Sequence, residues 1–409
     1  MQLPAEFMKP NYDDGSIANV PATIAAILGA PFSGLPPLKE SLWRPLSGGA
    51  KRVVLLIVDA LGSNLLQEQG ILANGFLGKA DVVGQLTSVF PSTTVAALSS
   101  LWTGAAPAQH GMVGLRLFMP EYAVTTQMLH FTPTFGKYPD ALIHAGLEPE
   151  TFLQSPGIAQ QLAQSGIETH AFKGREIIDS ALSKMHGRGV SGDHGVSSVA
   201  DMLVQMRQLL EQRAGESLYA CAYWPMIDSL SHIYGWSSDS VAAELRAIMA
   251  QIESEFVTQL SPAARKDTVF FIVADHGQVV TPPSQQIYLE DHPELRKMLF
   301  MRPAGEPRTA FLYAKHGLSR EITGYINHYL SEAMIAIGAE EALGENLLGA
   351  EPRVEQALER VGDVIVTMRQ GYVLLTESDR NSGSKMLGRH GGMTVDEMSV
   401  PWLGFRLDG

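Results

Sequence analysis

Apolar runs of strand length alternate along most of the chain with longer stretches in which apolar residues recur every three or four positions. The short runs read as strands buried on both faces of a parallel sheet, and the periodic stretches read as helices that cover it. The clearest run, Arg52-Val-Val-Leu-Leu-Ile-Val, stops at Asp59. Thr268-Val-Phe-Phe-Ile-Val-Ala stops at Asp275-His276-Gly277, and Leu218-Tyr-Ala-Cys-Ala-Tyr-Trp leads towards Asp228. Helical spacing predicts helices at about 95–102, 199–212, 240–260 and 320–336. The predicted fold class is α/β, a mostly parallel central sheet with helices on both faces.

From about residue 281 to 387 the texture changes to shorter strand-like pieces flanking helix, Arg308-Thr-Ala-Phe-Leu-Tyr-Ala and Asp363-Val-Ile-Val-Thr-Met. This segment is expected to form a smaller α+β subdomain, inserted into a core made of residues 1–280 and 388–409. The chain has no internal repeat and no low-complexity tract.

Composition narrows the function. With 45% hydrophobic and 18% charged residues among 409, the chain can bury a large core. Its 43 acidic residues outnumber 30 basic ones, and no basic run offsets the excess, so nucleic acid is not an expected partner. Small anions stay open as substrates, because bound metal ions reverse the local sign of charge. Cys221, the single cysteine, excludes an internal disulfide and any cysteine-rich metal site. The first residues lack the basic and long apolar regions of a secretory signal, and the stretch from Ala22 to Ala30 is too short to span a bilayer. A cytoplasmic protein without a membrane partner is therefore expected.

In open α/β sheets ligands bind beyond the carboxyl ends of the strands, so three strands ending in Asp or His point to one shared site. Asp228 and His232, four apart, share one face if their segment is helical. Each candidate alone has a plainer reading. Asp59 could cap the next helix, the Asp228–His232 pair could be a solvated hydrogen bond, and His390 stands alone in a glycine-rich loop. As a set, Asp and neutral His are the ligands that zinc or manganese favours in a site with open positions. Asp193-His194-Gly195 repeats the tripeptide at 275–277, but it follows the polar stretch Gly187-Arg-Gly-Val-Ser-Gly, and no apolar strand is expected to deliver it to a sheet edge.

The segment Phe90-Pro-Ser-Thr-Thr94-Val-Ala-Ala-Leu-Ser-Ser-Leu-Trp-Thr-Gly104, followed by His110-Gly111, adds a resemblance. Read with Asp59, Asp228, His232, Asp275-His276 and His390, it resembles the alkaline phosphatase superfamily, in its type I phosphodiesterase and nucleotide pyrophosphatase branch. The resemblance runs from about Arg52 to Trp402. It implies an alkaline phosphatase-like fold and two divalent metal ions, zinc first, with manganese or iron as alternatives. One metal would take Asp228, His232 and His390; the other would take Asp59, Asp275 and His276. Thr94 corresponds to the nucleophile, also a metal ligand, rather than its neighbour Thr93. A threonine hydroxyl is a poor nucleophile at neutral pH and needs a metal or base to activate it, which fits that placement. The implied reaction is hydrolysis of a phosphodiester or pyrophosphate in a small molecule, through a phospho-threonine intermediate. Arg116 is a candidate substrate contact, because guanidinium suits phosphate oxygens. His110, His130 and Trp102 read as structural or rim residues.

Two positions depart from the nucleotide-cleaving relatives. Where those carry an aromatic residue after the nucleophile and an asparagine after the His-Gly pair, this chain has Val95 and Leu115. Phosphate chemistry is thus more firmly implied than a nucleotide substrate. A phosphomonoesterase or phosphonate hydrolase on the same scaffold is the alternative, and a metal-binding inactive homologue is the non-enzyme one.

Overall fold

Seven strands make the central sheet, in the order Val82–Thr87, Ser399–Arg406, Thr268–Val273, Arg52–Val58, Leu218–Trp224, Glu168–Gly174, Gly192–Val196. Arg52–Val58 is parallel to both of its neighbours, as is Glu168–Gly174; Ser399–Arg406 is antiparallel to both of its own. The structure, a computed structural model, describes residues 3–70, 75–380 and 385–408. Every residue of Arg52–Val58 and of Thr268–Val273 is buried, as expected for strands covered on both faces. Each Val, Leu or Ile so buried stabilises the fold by about 1.5–3 kcal/mol.

Helices Val199–Gln212 and Asp239–Gln251 form where the periodicity predicted them, each capped by a serine, Ser198 and Ser238. The second gives way to a π-helical turn at Ile252–Val257. The helix expected at 320–336 is a correction: it spans Ser319–Tyr329, and Met334–Gly338 is a strand paired antiparallel with Val364–Met368. The ladder bonds to that neighbour override the weak helical spacing of the last residues. Asp193-His194-Gly195 also departs from expectation. It lies within the Gly192–Val196 edge strand, so a strand does carry it, despite its polar sequence.

A second seven-stranded sheet is antiparallel throughout, in the order Met334–Gly338, Val364–Met368, Thr309–Leu312, Ala304–Gly305, Arg116–Met119, Val124–Gln127, Thr132–Pro133. Strands from 281–387 thus share a sheet with strands from 116–133. Residues 381–384 of that segment lie outside the described residues.

A fully buried ion pair ties this sheet to the loop after His390. Arg308 Nε and Nη2 donate to the two Glu397 oxygens at 2.9 and 2.7 Å. The same carboxylate accepts the Gly392 N–H at 2.8 Å and the Thr394 hydroxyl at 2.6 Å, while Arg308 also donates to the carbonyls of Met368 and Tyr372. With this many hydrogen bonds, removing one partner strands a charge in a dry interior. Arg308→Met is expected to lower unfolding free energy by about 3–5 kcal/mol in urea titrations. Arg308→Met with Glu397→Gln should recover part of that loss.

Candidate metal centre

The carboxyl end of the central sheet gathers the sequence candidates. Asp59 follows the Arg52–Val58 strand, and its N–H bonds the Trp224 carbonyl at the end of the neighbouring strand at 3.0 Å. The chain turns there through Ala60, held at φ 59° in the left-handed region. Such strain is costly for a residue with a Cβ and is found where a site imposes it. The Ala60 N–H donates to Asp275 Oδ1 at 3.2 Å, which locks the turn to the next strand end.

Helix Met226–Tyr234 places Asp228 and His232 on one face, with His232 Nε2 3.2 Å from Asp228 Oδ2. His390 Nε2 is 3.6 Å from Asp228 Oδ1. His276 Nε2 is 3.4 Å from both Asp59 Oδ1 and Asp275 Oδ2, and 3.1 Å from the Thr94 hydroxyl. The rings of His276 and His390 stack, with centroids 3.7 Å apart. All six predicted ligands and Thr94 therefore lie in one cluster.

The three imidazoles are oriented alike. His232, His276 and His390 each turn Nδ1 to a backbone carbonyl, of Gly388, Gly277 and Ser92, at 2.7, 3.1 and 3.1 Å. An Nδ1–H donated this way leaves the Nε2 lone pair facing the cluster, the arrangement a metal ligand needs. Gly388 is required here by close approach, since a Cβ would stand 2.2 Å from the Ser231 carbonyl oxygen. Burial holds the His276 and His390 imidazoles at about 4 and about 3, so both are neutral at physiological pH.

The carboxylates repel one another. Burial first, then the charges of Asp275 and Asp228, push the Asp59 carboxyl well above its ordinary range. Burial likewise raises Asp275 to about 6. Asp228 moves down, because the adjoining His232 outweighs the opposing effect of burial, and His232 moves up in return. Asp59 Oδ1 and Asp275 Oδ2 are buried without a hydrogen-bond partner. Orphaned carboxylate oxygens beside neutral imidazole nitrogens are what a divalent cation would satisfy, so these residues fit a metal site. Donor atoms of Asp228, His232 and His390 lie within 4.8 Å of one another, and so do those of Asp59, Asp228 and His276. Asp228 thus belongs to both groups, a sharing that the spacing did not foretell.

Thr94 opens the helix Thr94–Thr103, which ends at Gly104 in the left-handed conformation at φ 67°. The N–H groups of a first helical turn have no partner within the helix and favour an anion. Its neighbour Thr93 is buried beside the Glu306 carboxyl, whereas Thr94 is half-buried and borders a cavity of about 590 Å³. Burial pushes Glu306 up to about 8.

Other candidates sit elsewhere. Arg116 Nη2 donates to Asp379 at 2.8 Å, and Arg116 is not among the described residues that line the cavity. His110 is buried and bonded to Ser100, and His194 is bonded to His170 and stacked on Phe172, in the edge-strand region. Trp102 and His130 line the cavity. Sequence reasoning missed Tyr223, whose hydroxyl donates to Asp59 Oδ2, and Gln278, whose amide donates to Asp228 Oδ1. Each had a faint signal, a polar tip at a strand end and a polar residue just after Asp275-His276-Gly277.

The chain matches the family described as type I phosphodiesterase / nucleotide pyrophosphatase over residues 53–393. No curated protein matches it in sequence. Among solved structures it is similar to murine ectonucleotide pyrophosphatase / phosphodiesterase 5, with a TM-score of 0.62 and 18% identity over 87% of this chain and 89% of that one. It is similar also to phosphonoacetate hydrolase from Sinorhizobium meliloti in complex with phosphonoformate, with a TM-score of 0.63 and 18% identity over 87% of this chain and 90% of that one. At such identities these likenesses bear on the fold alone. No helix among the described residues is long and apolar enough to cross a membrane. The match over most of its length, on an alkaline phosphatase-like fold, establishes that the chain belongs to the type I phosphodiesterase / nucleotide pyrophosphatase family of phosphoric ester hydrolases.

Proposed function

We propose that the chain hydrolyses a small-molecule phosphodiester or pyrophosphate by attack of Thr94 on phosphorus. The observation that carries this reading is the position of the Thr94 hydroxyl, at a helix start, 3.1 Å from His276 Nε2 in the Asp/His cluster, and bordering a cavity. Asp228, His232 and His390 would hold one divalent ion, and Asp59, Asp275, His276 and Thr94 the other. Zinc suits this donor set best, and when bound the two ions would neutralise charge and act as Lewis acids at the phosphate.

The chain's own residues set the geometry. Tyr223 and Gln278 fix the faces of Asp59 and Asp228 by hydrogen bonds, and the backbone carbonyls of Gly388, Gly277 and Ser92 fix the imidazole tautomers. The first turn of Thr94–Thr103 points its N–H groups at the phosphoryl oxygens. Attack would form a bond from Thr94 Oγ to phosphorus and break the bond to one substituent, which leaves with the threonine's proton as an alcohol, or as a phosphate where the substrate is a pyrophosphate. Water then breaks the Thr94 Oγ–P bond, releasing the phosphomonoester and returning a proton to the threonine. The strands of 281–387, proposed as an inserted α+β subdomain, back the loop that carries His390 through the Arg308–Glu397 pair.

A diester suits the site better than a monoester. A dianionic monoester calls for extra cations around the phosphate. Arg116 is engaged by Asp379, and the cavity beside Thr94 has room for a second substituent.

Two measurements test the reading. The metal-loaded protein is expected to cleave bis-p-nitrophenyl phosphate faster than p-nitrophenyl phosphate, and Thr94→Ala should lower kcat by about a thousandfold or more. Faster monoester cleavage moves the chain to the phosphatase reading, and activity that survives Thr94→Ala removes the nucleophile assignment. In thermal melts at neutral pH, zinc at a hundredfold excess over its Kd should stabilise the protein by about 2.7 kcal/mol. Asp59→Asn is expected to raise the melting temperature of chelator-treated protein, because it removes one of the repelling carboxylates, and to shrink the shift that zinc produces.

A further inference from the structure

The cavity that begins at Thr94 does not end at the cluster. Helix Thr94–Thr103 presents Thr94, Leu98 and Trp102 to it, positions four apart that share one helical face. At 1.5 Å per residue, Trp102 lies about 12 Å along the helix from the nucleophile. The opposite wall is the strand surface of Ala171, Lys173, Cys221 and Tyr223. Ala171 is in register with Cys221 on the adjacent parallel strand, and alternate residues of a strand share a face. Tyr223, whose hydroxyl bonds Asp59, therefore marks the metal end of this wall, with Lys173 one strand further out.

The lining mixes apolar side chains such as Leu98, Trp102, Phe172 and Leu182 with polar ones, and Lys173 is among them. Lys173 is the only lysine or arginine among the described residues lining the cavity, and just 8% of it is exposed. Its ammonium has three protons to donate, and it pairs with Asp193 Oδ2 at 3.3 Å, long for a charge-assisted hydrogen bond. A buried ammonium with a single loose partner is costly unless something else pairs with it. Of the acidic residues in the lining, Asp59 and Asp228 belong to the cluster, Asp140 accepts the Ala181 N–H, and Glu176 and Asp179 are exposed and screened by water, so these last weigh less on a ligand than the buried lysine does. His186, at the Trp102 end, is kept neutral chiefly by burial and then by the nearby Lys173 charge.

We propose that this chamber selects phosphoesters whose organic substituent has an apolar body and ends in an anionic group, which pairs with Lys173. The proposal rests on the phosphoesterase reading above for the placement of phosphorus at Thr94. It makes Lys173 a specificity-determining residue that lies outside the Asp/His cluster. A two-carbon acid would leave most of the 590 Å³ chamber unfilled, so a longer substituent is the better match.

Equilibrium binding tests it without turnover. Alkylphosphonates, ω-carboxyalkylphosphonates and ω-aminoalkylphosphonates of increasing chain length would be titrated into the zinc-loaded protein by calorimetry. For chains long enough to reach Lys173, the carboxylated ligand is expected to bind about tenfold more tightly than the plain alkyl one, with no such advantage for the shortest chains. Lys173→Met should erase the difference between the two. The proposal is overturned if the carboxylate gives no advantage at any length, if the amine binds most tightly, or if the advantage persists in Lys173→Met. The comparison in the unmodified protein is decisive alone, so a poorly folding variant does not shield the idea. Failure of the phosphoesterase reading would show separately, as ester hydrolysis untouched by Thr94→Ala.

Discussion

Three carboxylates, the buried Asp59 and Asp275 and the half-buried Asp228, face one another at the carboxyl edge of the central sheet beside three imidazoles. Their repulsion is the constraint around which the rest of this end of the molecule is arranged. Asp59 and Asp275 cannot separate, because fully buried strands deliver them and the parallel ladder fixes their spacing. Water cannot screen them. What remains is compensation by hydrogen bonds and cations: Tyr223 and Gln278 donate to two of them, backbone N–H groups to the third, and the imidazoles offer lone pairs that only a cation can bridge to carboxylate oxygen. Asp228 and His232 attract one another, which moves the Asp228 carboxyl down and the His232 imidazole up against the opposing effect of burial on each.

Much of this was legible in sequence for a simple reason. A parallel strand buried on both faces has to be a continuous apolar run, so its end is sharply marked, and in this architecture the end of a strand is where ligands bind. Asp59 and Asp275-His276 could be read from that alone. Asp228 and His232 were legible because helical spacing is local information. His390 was legible only through the resemblance, since nothing in a glycine-rich loop encodes which sheet it returns to. The sharing of Asp228 between two donor groups depends on how a helix is rotated against a sheet, and no residue pattern records that rotation.

The misread parts follow the same logic in reverse. Met334–Gly338 has apolar residues close enough to helical spacing to extend the preceding helix on paper, and its strand identity comes from a partner at 364–368. The Gly192–Val196 strand is polar because it lies at the sheet's edge, where one side needs no apolar cover. Its His194 therefore meets His170 and Phe172 instead of a metal cluster, even though the tripeptide is identical to the one at 275–277. Identity of a motif mattered less than which strand of the sheet carried it. Arg116 shows the converse, a residue of suitable chemistry that its partner Asp379 has engaged.

The helix Thr94–Thr103 joins chemistry to recognition. Its first turn carries Thr94, the proposed nucleophile, at an anion-favouring terminus, both set by backbone geometry. Its flank, through Leu98 and Trp102, shapes the chamber that receives a substituent. Because the two functions occupy different parts of one rigid element, the flank can change without moving the hydroxyl relative to the cluster. Val95 illustrates the limit of that freedom. It is fully buried, in a hydrophobic cluster that also holds Phe90 and Met112, and so does not face a ligand. The selectivity proposed for this chain accordingly rests on the side of the helix and on the strands where Lys173 lies, and not on Val95.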